Sequence, residues 1–217
     1  MWVKLCANTS LRDARLCAAA GADAVGFIFA RGSKRMVRPS EVAPVSKKLL
    51  REFPQVERIG VFTEGPATSI ASAVELCGLT AVQLQGDDAQ AETAALRKLL
   101  PGIKIIAAFA WAGSADFAHR LAHDEHDRVM VDSSSAKSHG GTGKVFDWQQ
   151  AAPSFSAARD GKYPAIAAGG LTPENVTEAI TILRPWGVDV ASGVESMPGQ
   201  KDPAKVARFI AAARGAR

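Results

Sequence analysis

The chain has 217 residues, 47% hydrophobic and 22% charged, enough to bury one sizeable core within a single large domain. No apolar stretch approaches the roughly 18 residues a spanning helix needs and no signal segment opens the chain, so a soluble, cytoplasmic protein without a membrane partner is expected. The formal charge of +4 gathers only in Arg31, Lys34, Arg35 and Arg38, which suit an anion but lack interleaved aromatic rings for base stacking, and this argues against nucleic acid.

Short β-branched runs alternate with alanine-rich stretches of helical period. In chain order the strand candidates are 2–6, 24–30, 56–62, 81–85, 103–109, 127–132, 163–169 and 187–193. Helical patterns cover 10–21, 40–53, 67–78, 89–100, 114–123, 172–184 and 202–214. Gly21 and Gly78 close two of them, while Thr172-Pro173 and Asp202-Pro203 each read as an N-cap followed by proline at the first helical position. The stretch 133–148, "SSSAKSHGGTGKVFDW", reads as a long loop able to cover a substrate. Strict alternation implies parallel strands with right-handed crossovers. Eight strands in this length fit an α/β, single-domain (β/α)8 TIM barrel, with a doubly wound open sheet as the rival. No linker or composition shift divides residues 1–217, which read as one catalytic domain.

In such a barrel the C-terminal strand ends converge on one face. Cys6, Gln85, Asp132, Gly169, Gly170, Ser192 and Gly193 all stand where apolar runs stop. Period-two alternation puts Trp2, Lys4 and Cys6 on one face, and an ammonium beside Cys6 is expected to favour its thiolate. Asp132 ends the apolar run "RVMV", where a carboxylate is costly unless bonded or working. Cys6 and Asp132, on the first and sixth strands, are thus able to enter one pocket from different sides as an acid and a base. Gly169 and Gly170, ahead of a helix start, read as a phosphate seat, with Ser192 and Gly193 as a second turn beside it. Cys17 and Cys77 lie in apolar helical patterns and read as core thiols, with no CxxC pair in the chain. His123, Asp124, Glu125 and His126 read as solvated surface and not as a metal cluster; His139 is left unassigned.

The ordered motifs "KLC", "GADAVGFIF", "SKRMV", "VQLQGD", "VDSSS", "GGTGKVFDW", "AAGGLTPENV" and "GVDVASGVES" resemble the phosphoribosylanthranilate isomerase family of tryptophan biosynthesis, from residue 2 to about 213. The resemblance implies an Amadori rearrangement of a phosphorylated small-molecule substrate with neither cofactor nor metal. It implies Asp132 as general acid, Cys6 as general base, Arg35 on the anthranilate carboxylate, Asp189 near the substrate's amine and carboxylate end, and Gly169, Gly170, Ser192 and Gly193 on the phosphate. Two positions depart from the family pattern. Ala7 stands where glycine is usual and restricts positive φ, and Gln85 stands where a histidine is common and cannot titrate. Another phosphate-binding barrel enzyme, such as an indole-glycerol-phosphate synthase or a ribulose-phosphate epimerase, would need a lysine pair or metal-binding histidines at strand ends, and neither pattern is evident. A non-catalytic phosphate-ligand module is the alternative of a different class. Whether the chain is a monomer or a homodimer is not legible.

Overall fold

The structure, a computed structural model, describes residues 1–123, 126–133, 145–161 and 163–216. Eight parallel strands, β1 (Trp2–Leu5), β2 (Ala24–Ile28), β3 (Glu57–Phe62), β4 (Ala81–Gln85), β5 (Lys104–Ala110), β6 (Arg128–Asp132), β7 (Ala165–Ala167) and β8 (Gly187–Val190), each pair with the next. Four register partners from Trp2↔Gly187 to Leu5↔Val190 join β8 to β1. The sheet is therefore a closed barrel, and the open-sheet rival falls away.

Alternation along each strand sorts two cores. Ala24, Ile59, Ala81, Ile106, Ala108, Met130, Ile166 and Ala168 pack together inside the barrel. The intervening residues, among them Val3, Leu5, Val25, Val82, Val129 and Val131, face the outer helices. Those helices are α1 (Leu11–Ala19), α2 (Pro39–Glu52), α3 (Ala67–Cys77), α4 (Asp87–Gln90), α5 (Thr93–Leu99), α6 (Ser114–His123), α7 (Trp148–Asp160), α8 (Val176–Leu183) and α9 (Pro203–Gly215). After β8 a 3₁₀ turn, Ser192–Val194, leads into a small antiparallel hairpin of β9 (Glu195–Met197) and β10 (Gln200–Lys201).

The helix boundaries agree at some caps and differ at others. Asp202 accepts from the Lys205 N–H at 2.9 Å ahead of Pro203, and Gly78 ends α3 in the left-handed region. The 172–184 helix starts later than its Thr-Pro pair suggests. Asn175 Oδ1 accepts from the Thr172 N–H at 2.8 Å and Thr172 Oγ1 from the Glu174 N–H at 3.2 Å, so these groups hold a turn and α8 begins at Val176. No helical pattern was expected before β7, yet α7 is there. Its buried face sets the small residues Ala151, Ser154 and Ala158 among Trp148 and Phe155, so the apolar period rests on two rings alone, and Asp147, expected in the loop, caps it by accepting from the Gln150 N–H. The 134–144 part of that loop, with His139, lies outside the described residues, as do Asp124 and Glu125. His126 is buried, not solvated as expected, with its ring 5.4 Å from that of Tyr163.

At the N-terminal end of the barrel the Arg128 guanidinium lies over both Trp2 (5.0 Å) and Trp186 (4.6 Å) and donates to Glu57 at 2.6 and 2.8 Å. A cation between two indoles closes the floor. Arg128→Met is expected to cost about 2 kcal/mol, read as a fall of roughly 4–8 °C in Tm by calorimetry.

Candidate active site

Lys4 is the charged residue that β1 turns inward, and it is fully buried. Its Nζ donates to Asp189 Oδ1 on β8 and to Gln83 Oε1 on β4, both at 2.9 Å. Because β4 is not a neighbour of β1, the lysine crosses the lumen to reach it. Cys6 lies two residues further along the same face, buried, at the rim end of β1. Gly26 on β2 makes space for both: a Cβ there would stand 2.7 Å from Cys6 Sγ and 3.0 Å from Lys4 Cε. The charge balance differs from the sequence expectation. Burial pushes the Cys6 thiol above its ordinary value, Lys4 pulls it down, and Asp189 pushes it up again. Lys4 itself stays firmly protonated, since the pull of Asp189 and Cys6 outweighs the burial that opposes it. The direction of the shift makes Cys6 a thiol, its ammonium neighbour already committed to Asp189.

Beyond Cys6 the backbone turns sharply. Ala7 is completely buried at φ +64°, in the left-handed region. Asn8 fixes that turn, its N–H donating to Gly26 O at 2.9 Å and its Nδ2 to Leu5 O at 2.8 Å and Gly26 O at 3.1 Å.

Across the rim, Asp132 ends β6 with the same parity as Met130 of the inner core, so it faces the lumen. Gln85 has the parity of Gln83 and ends β4, half-buried. Asp132 packs directly on the glycine turn after β7: a Cβ on Gly169 would lie 2.6 Å from Asp132 Oδ1 and 2.2 Å from Ser133 Oγ. The two glycine turns also touch each other, since a Cβ on Gly193 would fall 1.9 Å from Leu171 O. Asn175 Nδ2 donates to Gly170 O at 3.0 Å and completes the stitching. The turn of Gly169 and Gly170 thus lies against that of Ser192 and Gly193, main chain on main chain, as one joined surface. With α8 starting at Val176, that surface is made by turns and not by the helix start expected at Thr172.

Arg35, expected to offer its fork to a ligand, already has a carboxylate on it. Its Nε donates to Glu195 Oε1 and Oε2 at 2.9 and 3.0 Å, and its Nη2 to Oε2 at 2.7 Å. Lys201 Nζ adds a contact to Glu195 Oε1 at 3.4 Å and a bond to Ala191 O at 3.1 Å. Asp189 lies at the level of Lys4, a layer below Cys6, instead of standing open at the rim. Sequence reasoning missed Glu195, Lys201, Gln83 and Asn175. Gln83 was within reach, because it shares the inward parity of Gln85. The Arg35–Glu195 pair joins positions 160 residues apart and leaves no local signal.

A closed parallel barrel whose C-terminal strand ends carry Cys6, Gln85 and Asp132 defines the class, a (β/α)8 barrel, a fold whose active sites lie at that end. Within that class the chain belongs to the family of N-(5'phosphoribosyl)anthranilate (PRA) isomerase, whose model matches residues 3–212. The N-(5'-phosphoribosyl)anthranilate isomerase of Citrifermentans bemidjiense is 38% identical over 213 residues, covering 98% of this chain and 96% of that protein. The crystal structure of phosphoribosyl anthranilate isomerase from Thermotoga maritima superposes with a TM-score of 0.85 at 36% identity, covering 99% of each chain. A further isomerase structure, in complex with reduced 1-(o-carboxyphenylamino)-1-deoxyribulose 5-phosphate, is 34% identical with a TM-score of 0.81 and 99% of both chains covered.

Relieving the left-handed alanine is expected to stabilise the fold. Ala7→Gly should gain about 1 kcal/mol, a rise of roughly 2–4 °C in Tm. Burial also lifts the other two thiols, Cys17 to about 12 and Cys77 to about 11 from an ordinary 9.0. The folded chain holds these protons more tightly than the unfolded one, so their contribution is complete below the ordinary thiol value and is lost as pH rises through the folded-state values. Melting temperature should therefore fall as pH climbs past 9 toward 12, and Cys17→Ala should flatten that fall.

Proposed function

We propose that this chain isomerises N-(5-phosphoribosyl)anthranilate to 1-(2-carboxyphenylamino)-1-deoxyribulose 5-phosphate in tryptophan biosynthesis, using general acid and base groups alone, with neither cofactor nor metal ion. The observation that carries the reading is the packing of Asp132 against Gly169, which sets an acid beside the surface best suited to a phosphate.

Asp132, as general acid, protonates the ribose ring oxygen while the C1–O bond breaks, leaving an iminium cation between C1 and the anthranilate nitrogen. Cys6 gives up its thiol proton to water, and the thiolate, as general base, takes the proton from C2 to become a thiol again, while the electron pair of that C–H bond neutralises the iminium to an enolamine. Water returns the released proton to C1 and the Asp132 carboxylate takes the C2 hydroxyl proton, which gives the ketose and restores both groups. The cation matters twice: it acidifies the adjacent C–H and supplies the positive charge that Lys4, already matched by Asp189, does not give the Cys6 thiolate. Gly169, Gly170, Ser192 and Gly193 hold the phosphate, Arg35 the ring carboxylate, and Asp189 lies beneath the developing cation.

The direct test is turnover of freshly prepared substrate in chelator-treated buffer, followed by the change in anthranilate fluorescence. Cys6→Ala and Asp132→Asn should each lower kcat by about 10² or more, since each removes a proton-transfer partner. Near-full rate in either variant removes that residue's role, and no turnover by the unaltered chain removes the proposal. Gly169→Ala should raise KM and also lower kcat, because its methyl group would displace Asp132 as well as fill the cradle.

A further inference from the structure

Arg35 sits in the segment after β2 and Glu195 in the hairpin after β8, so the ion pair between them joins the loops on either side of β1, the strand that ends in Cys6. The pair is shielded, with side-chain exposures of 12% for Arg35 and 3% for Glu195. Its geometry is one-sided. Glu195 takes the Nε and one N–H of Nη2, and among the described residues no bond uses Nη1. A guanidinium gripped along its Nε edge keeps a second edge, Nη1 with the remaining N–H of Nη2, able to accept another carboxylate in a two-bond fork.

We propose that Glu195 is a positioning residue for carboxylate recognition, fixing Arg35 by one edge so that the other meets the substrate's ring carboxylate; the inference rests on the activity proposed above. The alternative, in which Glu195 merely fills the place of the ligand and swings away on binding, conflicts with how it is held. Its carboxylate also contacts Lys201, and its main-chain carbonyl accepts from Lys205 Nζ at 2.8 Å. Leaving Arg35 would strip three hydrogen bonds from a buried carboxylate and leave it the 3.4 Å contact to Lys201, at a cost that a single exchanged ion pair does not return. The local charges point the same way: Arg35 and Lys201 share one carboxylate in these ion pairs, which leaves a positive charge for an incoming anion.

The same hairpin ties the two ends of the site together. Lys201 donates to Ala191 O, next to Ser192 and Gly193 of the phosphate cradle, and Gly199 O accepts from Thr9 Oγ1 at 2.6 Å, just beyond the turn at Ala7. Ser192 and Gly193 of the phosphate cradle and Glu195, which grips the carboxylate anchor Arg35, are therefore carried on one short piece of chain. The separation of the two anchors is set by Glu195, which selects ligands bearing both anions at one spacing.

The test is calorimetric binding of two ligands: reduced 1-(o-carboxyphenylamino)-1-deoxyribulose 5-phosphate and its phenylamino counterpart lacking the ring carboxylate. Glu195→Gln is expected to weaken the first by roughly tenfold and to leave the second within about twofold, because only the first uses the aimed guanidinium. Glu195→Asp, which keeps the buried charge but withdraws the carboxylate by one methylene, should preserve Tm and still weaken the first ligand selectively; it decides the matter if the glutamine variant does not fold. Equal losses for both ligands would show a purely structural role and overturn the proposal. Tighter binding of the first ligand to Glu195→Gln would make Glu195 a competitor and overturn it as well. An unaltered chain that binds both ligands equally would refute the carboxylate contact while sparing the phosphate site, whereas one that binds neither would refute the proposed activity and this inference with it.

Discussion

A lysine buried in the lumen of a barrel is the constraint on which the rest of this site is built. Lys4 reaches full burial only because Asp189 and Gln83 each meet its ammonium at 2.9 Å. Removing one partner of such a pair costs about 3–5 kcal/mol, since the other charge is left unmatched in a poorly solvated interior. The surroundings are shaped to admit it. Ala24, Ala81 and Ala108 keep the inner core small-sided, and Gly26 gives up its side chain altogether, since a Cβ there would stand 3.0 Å from Lys4 Cε. Below this layer, Arg128 between two tryptophans closes the floor; above it the lumen opens to Cys6, Gln85 and Asp132.

The pairing determines what kind of base Cys6 would be in the proposed chemistry. A lysine facing only a cysteine would hold a standing thiolate, reactive toward any electrophile that reached it. Here Asp189 takes up the ammonium's charge and burial favours the neutral thiol. Counting charge, Lys4 and Asp189 sum to zero, so with a neutral Cys6 these three residues are neutral together. On the proposed chemistry the iminium and the Asp132 carboxylate form together, and the positive charge appears on the carbon skeleton from which Cys6 takes its proton. The thiolate is thus favoured when the iminium is present, which is when a C–H proton has to be removed.

Much of this was legible in the chain, and the legible part shares one physical origin. Strand parity and strand ends are local patterns of period two, so "WVKLC" and "RVMVD" disclosed the inward Lys4, the position of Cys6 and the rim carboxylate. The closed barrel followed from counting such runs. What parity could not reveal was how charge is shared. Lys4 was legible as a neighbour of Cys6, but its commitment to Asp189 depends on β8 closing against β1, a contact 185 residues away in the chain. Glu195 was hidden in the same manner, as one acidic residue among many until the fold set it on Arg35. Helix α7 was missed for a different reason: apart from Trp148 and Phe155 its buried face is alanine and serine, and hydrophobic period is a weak signal where small side chains make much of the core contact.

Ala7 shows how such departures are absorbed. A methyl group restricts positive φ, and one response would have been a rearranged loop after Cys6. The backbone keeps the left-handed turn instead, because the following residue allows nothing else: Asn8 is bonded through its main chain and its side chain to Leu5 and Gly26, and Cys17 Sγ donates to its Oδ1 at 3.3 Å. One residue further on, Thr9 is fastened to the Glu195 hairpin. The alanine is held from both sides, by the barrel wall at Gly26 and by the strap that carries Glu195 and Lys201. Strain of about 1 kcal/mol is therefore borne in place and not relieved by moving Cys6. The hairpin that holds Arg35 and the turn that follows Cys6 are parts of one brace, and the geometry of the proposed base and that of the proposed carboxylate anchor rise or fall together.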